Sequence, residues 1–308
     1  MGNGPAPASL KSTRSTVDDC DSLAIVTPSY APDFELCRTL NRSVLEFLPA
    51  SVKHYIFVDR RDYKLFRTLA GSRTSVVIKE EMMPRGIFQV PGTNRWMSTA
   101  TLLPITGWLV QQITKIAAAN FLTEDALVMV DSDAVFVRDV DTRIFVAGGR
   151  TRLYRKPGAI LAHMTAHVTW HHNASQLLGL PSESVPLTDY IGQVIGWDRM
   201  IVHNMCARIE TVTDCSWHTA LARARKVSEY LLYGMFVERT PEMRDRVWIE
   251  ERSRVGMYWE IAALTDADAD AFARSLDDGD IALMITSHSK TSFETRRSAI
   301  ATATNGRL

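Results

Sequence analysis

The stretch ALVMVDSD, residues 126–133, joins an apolar run directly to a pair of aspartates, and residues 134–137 are apolar again. A run of this kind bounded by polar residues predicts a fully buried central strand. Successive strand residues point to opposite faces, so Asp131 and Asp133 are expected to project to one side and Ser132 to the other. The carboxyl end of such a strand is where open α/β sheets bind their ligands.

Two carboxylates at one sheet edge repel each other, which favours protonation of one of them. A divalent cation with a preference for oxygen ligands lets both stay ionised, so the pair predicts a cation site. A second Asp-x-Asp, Asp139 and Asp141, does not end an apolar run. Asp141 is instead predicted to cap a short helical turn.

The segments upstream of this stretch alternate between strand and helix patterns, which predicts the opening of a doubly wound parallel sheet. The predicted elements are a strand from Leu23, a helix capped near Asp33, a strand over Val52–Val58, a short helix over Tyr63–Leu69 and a strand over Ser75–Ile78. Residues 80–101 lack a clear period and are expected to form a long functional loop. A helix over residues 102–120 then leads into the motif strand.

Length and composition narrow the class of protein. At 308 residues, one α/β domain with an appended part is the natural expectation. The 35 basic and 35 acidic residues cancel, which argues against a strongly basic nucleic-acid binder. The four cysteines show no Cys-x-x-Cys spacing, as expected for reduced thiols in a cytoplasmic protein. No signal peptide or membrane-spanning stretch is recognisable, so at most a peripheral membrane contact is expected.

Three further segments join the Asp-x-Asp in resembling a known superfamily. They are LAIVTPSY at 23–30, QQITK at 111–115 and SHSK at 287–290. Together these resemble nucleotide-sugar-dependent glycosyltransferases of the GT-A fold, in a poorly characterised bacterial branch. The resemblance implies a GT-A-like mixed sheet in one Rossmann-like domain, residues 22–296. Its nucleotide-binding half would be 22–150 and its interleaved acceptor-side half 151–296, between a disordered tail at 1–21 and a frayed tail at 297–308.

The same resemblance implies a metal-dependent transfer of a sugar from a nucleotide diphosphate donor to a hydroxyl acceptor. Mn²⁺ or Mg²⁺ would be held by Asp131, Asp133 and His288. The donor would be bound by Thr27, Ser29, Asp59, Gln111, Gln112, Lys115, Asp131 and Lys290. The general base of an inverting reaction would be Glu229, with Asp198 as the second candidate.

Several of these residues also have a purely structural explanation. Ser29 could form a turn, Asp59 could cap a strand end, and Glu229 could serve the first turn of its helix. Gln111, Gln112 and Lys115 share one helical face, which is equally typical of solvent exposure. His288 could be a hydrogen-bonded loop histidine.

A group of histidines offers a different site. His163, His167 and His171 are four residues apart, so on a helix they would share a face and could bind zinc. Val168 and Thr169 favour a strand at least as strongly, and a mixture of buried and surface histidines is the simpler interpretation.

Two rival functions remain open. Paired aspartates at a strand end also serve nucleotidyl transfer and phosphohydrolysis, although the chain lacks the Gly-x-x-x-x-Gly-Lys-Ser/Thr loop. A non-catalytic protein that binds sugar nucleotides through the same fold is the second rival.

Overall fold

The structure is a computed structural model that describes residues 22–308, so the predicted tail at 1–21 lies outside the described residues. The elements up to the motif are β1 Leu23–Pro28, α1 Phe34–Phe47, β2 Lys53–Val58, α2 Tyr63–Phe66, β3 Thr74–Ile78, α3 Lys79–Met82, β4 Ile87–Gln89, β5 Trp96–Ser98, β6 Pro104–Ile105, α4 Gly107–Phe121 and β7 Ala126–Met129. After the motif come β8 Ala134–Phe136, β9 Val146–Ala147, β10 Arg150–Tyr154, β11 Lys156–Ile160, α5 Thr165–Leu178, β12 Leu187–Asp189, β13 Ile195–Asp198, α6 Arg199–Thr213, α7 Trp217–Ala224, α8 Glu229–Arg239, α9 Pro241–Arg244, β14 Val247–Glu250, β15 Val255–Tyr258, α10 Asp266–Arg274, β16 Ala282–Ile285 and α11 Phe293–Ala303.

The central sheet has the strand order β13-β7-β1-β2-β3. Strands β7, β1, β2 and β3 run parallel, and β13 is an antiparallel edge strand paired with β7. The predicted doubly wound α/β fold with a mixed sheet is therefore confirmed. This topology brings the carboxyl ends of β1, β2 and β7 to one edge of the sheet.

Both faces of the central sheet are covered, which is why its strands read as continuous apolar runs. On β1, Ala24 and Val26 pack with Ile113 of α4, whereas Ile25 on the other face packs with Leu40 of α1. The residues of β7 divide between the same two clusters. No helix of the described part of the chain is long and apolar enough to cross a bilayer.

The Asp-x-Asp motif lies in a turn between two sheets, and the prediction of one strand reaching Asp133 was wrong. Strand β7 ends at Met129, and residues 132 and 133 form a turn. Strand β8 then joins a second sheet of order β15-β16-β8, pairing antiparallel with β16. The motif thus belongs at one end to the central sheet and at the other to the sheet that contains β16.

The segment before α4 also differs from its prediction. The region expected to be one long loop contains α3 and two strands of a small antiparallel sheet, β4-β5-β6. Pro104 pairs with Met97 in that sheet, so α4 cannot begin at residue 102. It begins at Gly107, where the Thr106 hydroxyl accepts a hydrogen bond from the Leu109 amide and caps the helix.

Two other boundaries depend on distant contacts. Helix α8 does not end at Gly234 but continues to Arg239, and a Cβ at Gly234 would lie 2.1 Å from the ring of Tyr190. The glycine is needed for close approach, not for a helix end. The tail expected to fray from residue 297 is helical to Ala303, and Arg307 pairs with Glu46 and Asp139.

Candidate active site

Asp131 is held by donors from two segments, helix α4 and the loop before β13. Its Oδ1 accepts from Gln111 Nε2 at 3.1 Å and lies 3.0 Å from Lys115 Nζ. Its Oδ2 accepts from Gln193 Nε2 at 3.0 Å, and Gln193 Oε1 accepts in return from the Asp131 amide at 3.3 Å. These contacts fix the orientation of the carboxylate, because its two oxygens accept from side chains of different segments.

Lys115 is the centre of this arrangement. Its side chain is only 2% exposed, and Nζ lies 3.0 Å from Asp131 Oδ1 and 3.0 Å from Glu229 Oε1. It also donates to the Tyr230 hydroxyl at 3.0 Å. Burial lowers the pKa of Lys115, but Asp131, Tyr230 and Glu229 outweigh burial and raise that pKa well above its usual value. The ammonium is therefore a fixed positive charge next to the motif.

Asp133 has far fewer partners. Its Oδ2 accepts from the Ser287 amide at 2.7 Å, whereas its buried Oδ1 has no hydrogen-bond partner within residues 22–308. Burial and the charge of Asp131 raise the pKa of Asp133 to about 6. A buried carboxylate oxygen without a donor is costly, and a cation beside it removes that cost.

A further acid and a histidine lie within electrostatic range of the motif. Burial raises the pKa of Asp33, the charges of His288 and Arg296 lower it, and Asp131 raises it again. Arg296 is buried and donates to the Thr286 carbonyl at 2.8 Å and to Ser289 Oγ at 2.9 Å, so it fixes the loop that contains His288. His288 itself is exposed on that loop.

The two motif carboxylates fit a hard divalent cation that shares its ligands with a substrate. Such a cation would give the buried Oδ1 of Asp133 a partner and would reduce the repulsion between the two carboxylates. Within residues 22–308, however, no three His, Cys, Asp or Glu side chains converge closely enough to hold a metal by themselves. His288 as the third ligand therefore stays a prediction.

Thr27 and Ser29, the predicted donor-binding residues at the end of β1, are both buried. Thr27 is fully buried, and its hydroxyl contacts His54 Nε2 at 2.9 Å, so it faces the interior and not the cleft. Ser29 is also buried, and its hydroxyl accepts from Ser132 Oγ at 2.8 Å. That bond ties the end of β1 to the motif turn, which gives Ser29 a positioning role in this structure.

Asp59 lies at the end of β2, as predicted. It is 3.2 Å from the buried Lys79 Nζ and accepts from Gln89 Nε2 at 3.0 Å. Lys79 also donates to the Ser29 carbonyl at 3.1 Å. Asp59 and Lys79 thus link the ends of β1, β2 and β3 at the same edge as the motif, and the role of Asp59 toward a nucleotide stays a prediction.

The three polar residues that were predicted to share one face of α4 make different contacts in the structure. Gln111 and Lys115 reach Asp131, whereas Gln112 is buried and donates to the Trp108 carbonyl of its own helix at 3.1 Å. The sequence predicted their common face but not that Gln112 turns back on the helix. Lys290 is exposed beside His288, where its predicted role toward a diphosphate stays a prediction.

The two acids predicted for base catalysis are both buried. Glu229 is 1% exposed, and burial raises its pKa while Lys115 lowers it. Asp198 caps α6 by accepting from the Met200 and Ile201 amides, and it pairs with Arg246 at 2.7 Å. Their observed contacts are those of a charge partner and a helix cap, and their catalytic roles stay predictions.

The remaining sequence candidates are resolved by their contacts. Residues 165–178 form α5, so the histidines lie on or beside a helix, where His167 packs on Trp170 and His171 is buried. Asp141 accepts from the Arg143 amide, which confirms its capping role. The acidic run of α10 is a largely exposed helix face.

Four site residues were missed in the sequence. Gln193 and Tyr230 are polar groups inside apolar segments, and Lys79 directly follows the apolar run of β3, signals that could have marked all three. Asp33 was interpreted only as a helix cap, although its side chain makes no capping hydrogen bond. Its place near the motif follows from the parallel pairing of β1 with β7, which brings the segments after both strands to one edge.

Comparison with known proteins gives one family match. The model described as "Family of unknown function (DUF6492)" matches residues 21–294. No curated protein matches the chain.

Several solved structures resemble the chain. Mouse xyloside xylosyltransferase 1 in its apo form is 11% identical over 85% of this chain and 97% of that chain, with a TM-score of 0.44. The galactosyltransferase LgtC with donor and acceptor sugar analogues is 11% identical over 85% and 86%, with a TM-score of 0.39. An active-site mutant of LgtC is 12% identical over 90% and 95%, with a TM-score of 0.43.

Proposed function

The chain belongs to the DUF6492 family, whose function is unknown, and we propose that it transfers a sugar from a nucleotide diphosphate donor to a hydroxyl acceptor with the help of a divalent cation. The observation that supports this most is the pair of motif carboxylates. One is fully paired with donors, and the other is buried with an orphaned oxygen. The resemblance of the motif and its flanking segments to GT-A glycosyltransferases supplies the reaction class.

Asp131 and Asp133 would hold Mn²⁺ or Mg²⁺, with His288 as the predicted third ligand. Such a cation, when bound, neutralises the charge that develops on a leaving diphosphate. Mg²⁺ in particular is often held by one or two carboxylates together with substrate phosphates, which agrees with a pair too small to form a site alone.

The chain's own residues prepare this charge balance. Lys115 places a permanent positive charge beside Asp131, and Gln111 and Gln193 hold the orientation of that carboxylate. Preorganised charges of this kind need no rearrangement during the reaction. Glu229 enters the proposal through Lys115, whose charge it stabilises. The prediction that Glu229 itself removes the acceptor proton requires an opening that exposes its carboxylate.

Thermal melting of the protein with UDP, GDP, CDP and dTDP, with and without Mn²⁺, tests the proposal. A ligand that binds the native state raises the melting temperature by mass action. We expect a Mn²⁺-dependent increase with one nucleotide that Asp133→Asn abolishes. The matched control is Asp141→Asn in the second Asp-x-Asp, which caps a surface turn and should leave the increase unchanged.

Product analysis then separates the rival reactions. Release of a nucleoside diphosphate from a nucleotide sugar supports glycosyl transfer. Release of pyrophosphate from a nucleoside triphosphate would instead support nucleotidyl transfer. An absence of any nucleotide-dependent melting shift in the unaltered protein would contradict the proposal.

A further inference from the structure

An aromatic stack begins on α4, one turn before Gln111, and its rings have no role in the proposed transfer as described so far. The indoles of Trp108 on α4 and Trp170 on α5 have centroids 4.9 Å apart and planes only 21° apart. His167 packs against Trp170 with a centroid distance of 4.7 Å. Trp170 thus contacts two other rings, and Trp108 stacks on Trp170.

The position of Trp108 on α4 links it to the motif. Trp108, Gln111 and Lys115 follow each other at intervals of three and four residues, which places them in one stripe of the helix. Lys115 is 2% exposed, Gln111 is half-buried, and Trp108 is 37% exposed. The stripe therefore runs outward from the carboxylate of Asp131 to an indole in contact with solvent, about 10 Å along the helix axis.

One acidic side chain is within electrostatic range of the stack. Burial raises the pKa of Asp189, and the charge of His167 lowers it. Asp189 ends β12, and a short segment joins it to Gln193, which donates to Asp131. The chain between Asp189 and Gln193 thus connects the surroundings of the stack to the motif.

This combination favours one class of ligand. An exposed indole that served only to pack two helices together would be expected to be buried, because a tryptophan side chain contributes most of its stabilisation through buried area. A pyranose ring presents an apolar C–H face that suits a flat aromatic surface and a rim of hydroxyl groups that suits nearby polar side chains. Ligand sites generally pair apolar and aromatic walls with a few placed polar groups.

We propose that Trp108, supported by Trp170 and His167, is a stacking platform for a pyranose ring of the acceptor. The acceptor role of this carbohydrate rests on the proposed function. The platform deepens that function by identifying the hydroxyl-bearing acceptor as a carbohydrate. Asp189 is then placed to accept hydrogen bonds from the ring's hydroxyl groups. Trp170 acts through Trp108 by fixing its plane.

The test measures binding of the full chain to a printed array of oligosaccharides in the presence of Mn²⁺. Trp108→Ala should reduce the binding signal about tenfold or more, whereas Trp108→Phe, which keeps an aromatic face, should retain most of it. Phe121→Ala is the matched control, because Phe121 is an aromatic side chain that is 49% exposed but lies at the opposite end of α4 from Trp108. Its signal should equal that of the unaltered protein.

Melting shifts with the nucleotide panel, measured on the same variants, keep the two proposals apart. If Trp108→Ala loses oligosaccharide binding but keeps its nucleotide shift, the platform is supported separately from the donor site. If oligosaccharides bind through Trp108 and no nucleotide binds, glycosyl transfer fails and the carbohydrate platform stands without its acceptor role.

Two results would overturn the platform itself. The first is that the unaltered protein binds no oligosaccharide on the array, or that Trp108→Ala binds oligosaccharides as well as the unaltered protein does. The second is that Trp108→Ala keeps oligosaccharide binding but no longer co-sediments with vesicles of phosphatidylcholine and phosphatidylglycerol, to which the unaltered protein binds. That second result would identify the indole as a membrane contact.

Discussion

Asp131 and Asp133 are two residues apart in the chain but differ in how many hydrogen-bond donors and charges their carboxylates contact. Asp131 accepts from two glutamine side chains and pairs with a buried lysine. Asp133 accepts one backbone amide, and its other oxygen is buried without a donor among residues 22–308. Asp131 therefore belongs to a network of paired opposite charges, whereas the negative charge of Asp133 is compensated only in part by the protein.

The difference shows how one short motif can serve stability and binding at once. On the Asp131 side, opposite charges already neutralise each other, so the network contributes order to the fold. On the Asp133 side, burial and a neighbouring anion raise the pKa to about 6, which is a local cost of the kind found at functional sites. Substitutions on the two sides should therefore have opposite effects on stability.

Lys115→Met should have the largest effect. It leaves Asp131 and Glu229 as uncompensated acids, one partly and one fully buried, and should lower the free energy of unfolding by about 3–5 kcal/mol. Urea denaturation at neutral pH measures the change. Lys290→Met, which removes an exposed lysine near the same site, should cost little. If Lys115→Met lowers the free energy of unfolding by less than about 1 kcal/mol, the paired charges around Lys115 do not stabilise the fold as expected.

Asp133→Asn should show the opposite pattern. We expect turnover to fall about 10²-fold or more, because charge stabilisation in the transition state is lost. Unfolding in urea should become harder by about 1–2 kcal/mol, since a buried, partly unpartnered charge is removed. Asp131→Asn is the matched comparison, and it should lose stability together with activity. Equal stability losses in the two variants would erase the contrast between the two sides.

Glu229→Gln sharpens the comparison on the Lys115 side. If the carboxylate only stabilises the charge of Lys115, stability should fall by about 1–3 kcal/mol and turnover should fall less than about tenfold. If it removes the acceptor proton, turnover should fall about 10²–10⁴-fold, and the acidic limb of the pH–rate profile, where turnover rises as the base loses its proton, should disappear. The profile is the deciding measurement, because a purely structural role would leave its shape unchanged.

Ser132→Ala should have the smallest effect. It removes the hydrogen bond to Ser29 that joins the motif turn to the end of β1, a loss of about 1 kcal/mol. Thermal melting should register the decrease, while Mn²⁺-dependent nucleotide binding should persist. Complete loss of nucleotide binding would mean that the turn between the two aspartates needs this bond to keep its shape.

Local patterns predicted most of the fold and only part of the site. Apolar runs and their spacing located β1 to β3 and α1, because burial on both faces of a sheet leaves a direct trace in the sequence. The same run extended the motif strand past Met129, since β8 is equally apolar and nothing local marks the change of sheet. Gly234 shows the same dependence on distant contacts, because a side chain there would meet Tyr190, which is remote in sequence.

The site was predictable where one helix or one strand end supplies the residues. Spacing predicted that Gln111 and Lys115 share a helical face, and in the structure both reach Asp131. Gln193 comes from a loop and Asp33 from the short 3₁₀ turn before α1, and no periodicity describes either residue. The role of Thr27 toward a donor stays a prediction, and alternation along β1 gave no sign that its hydroxyl contacts His54.

The bond between Asp133 and the Ser287 amide spans 154 residues of chain. During synthesis, the four parallel strands of the central sheet emerge before this partner, because β16 and the loop after it follow all four of them in the chain. Contacts between such distant segments form late, since closing a long loop is entropically unfavourable. A polypeptide that ended before β16 would lack the donor that holds Asp133, so the central sheet alone does not assemble the site.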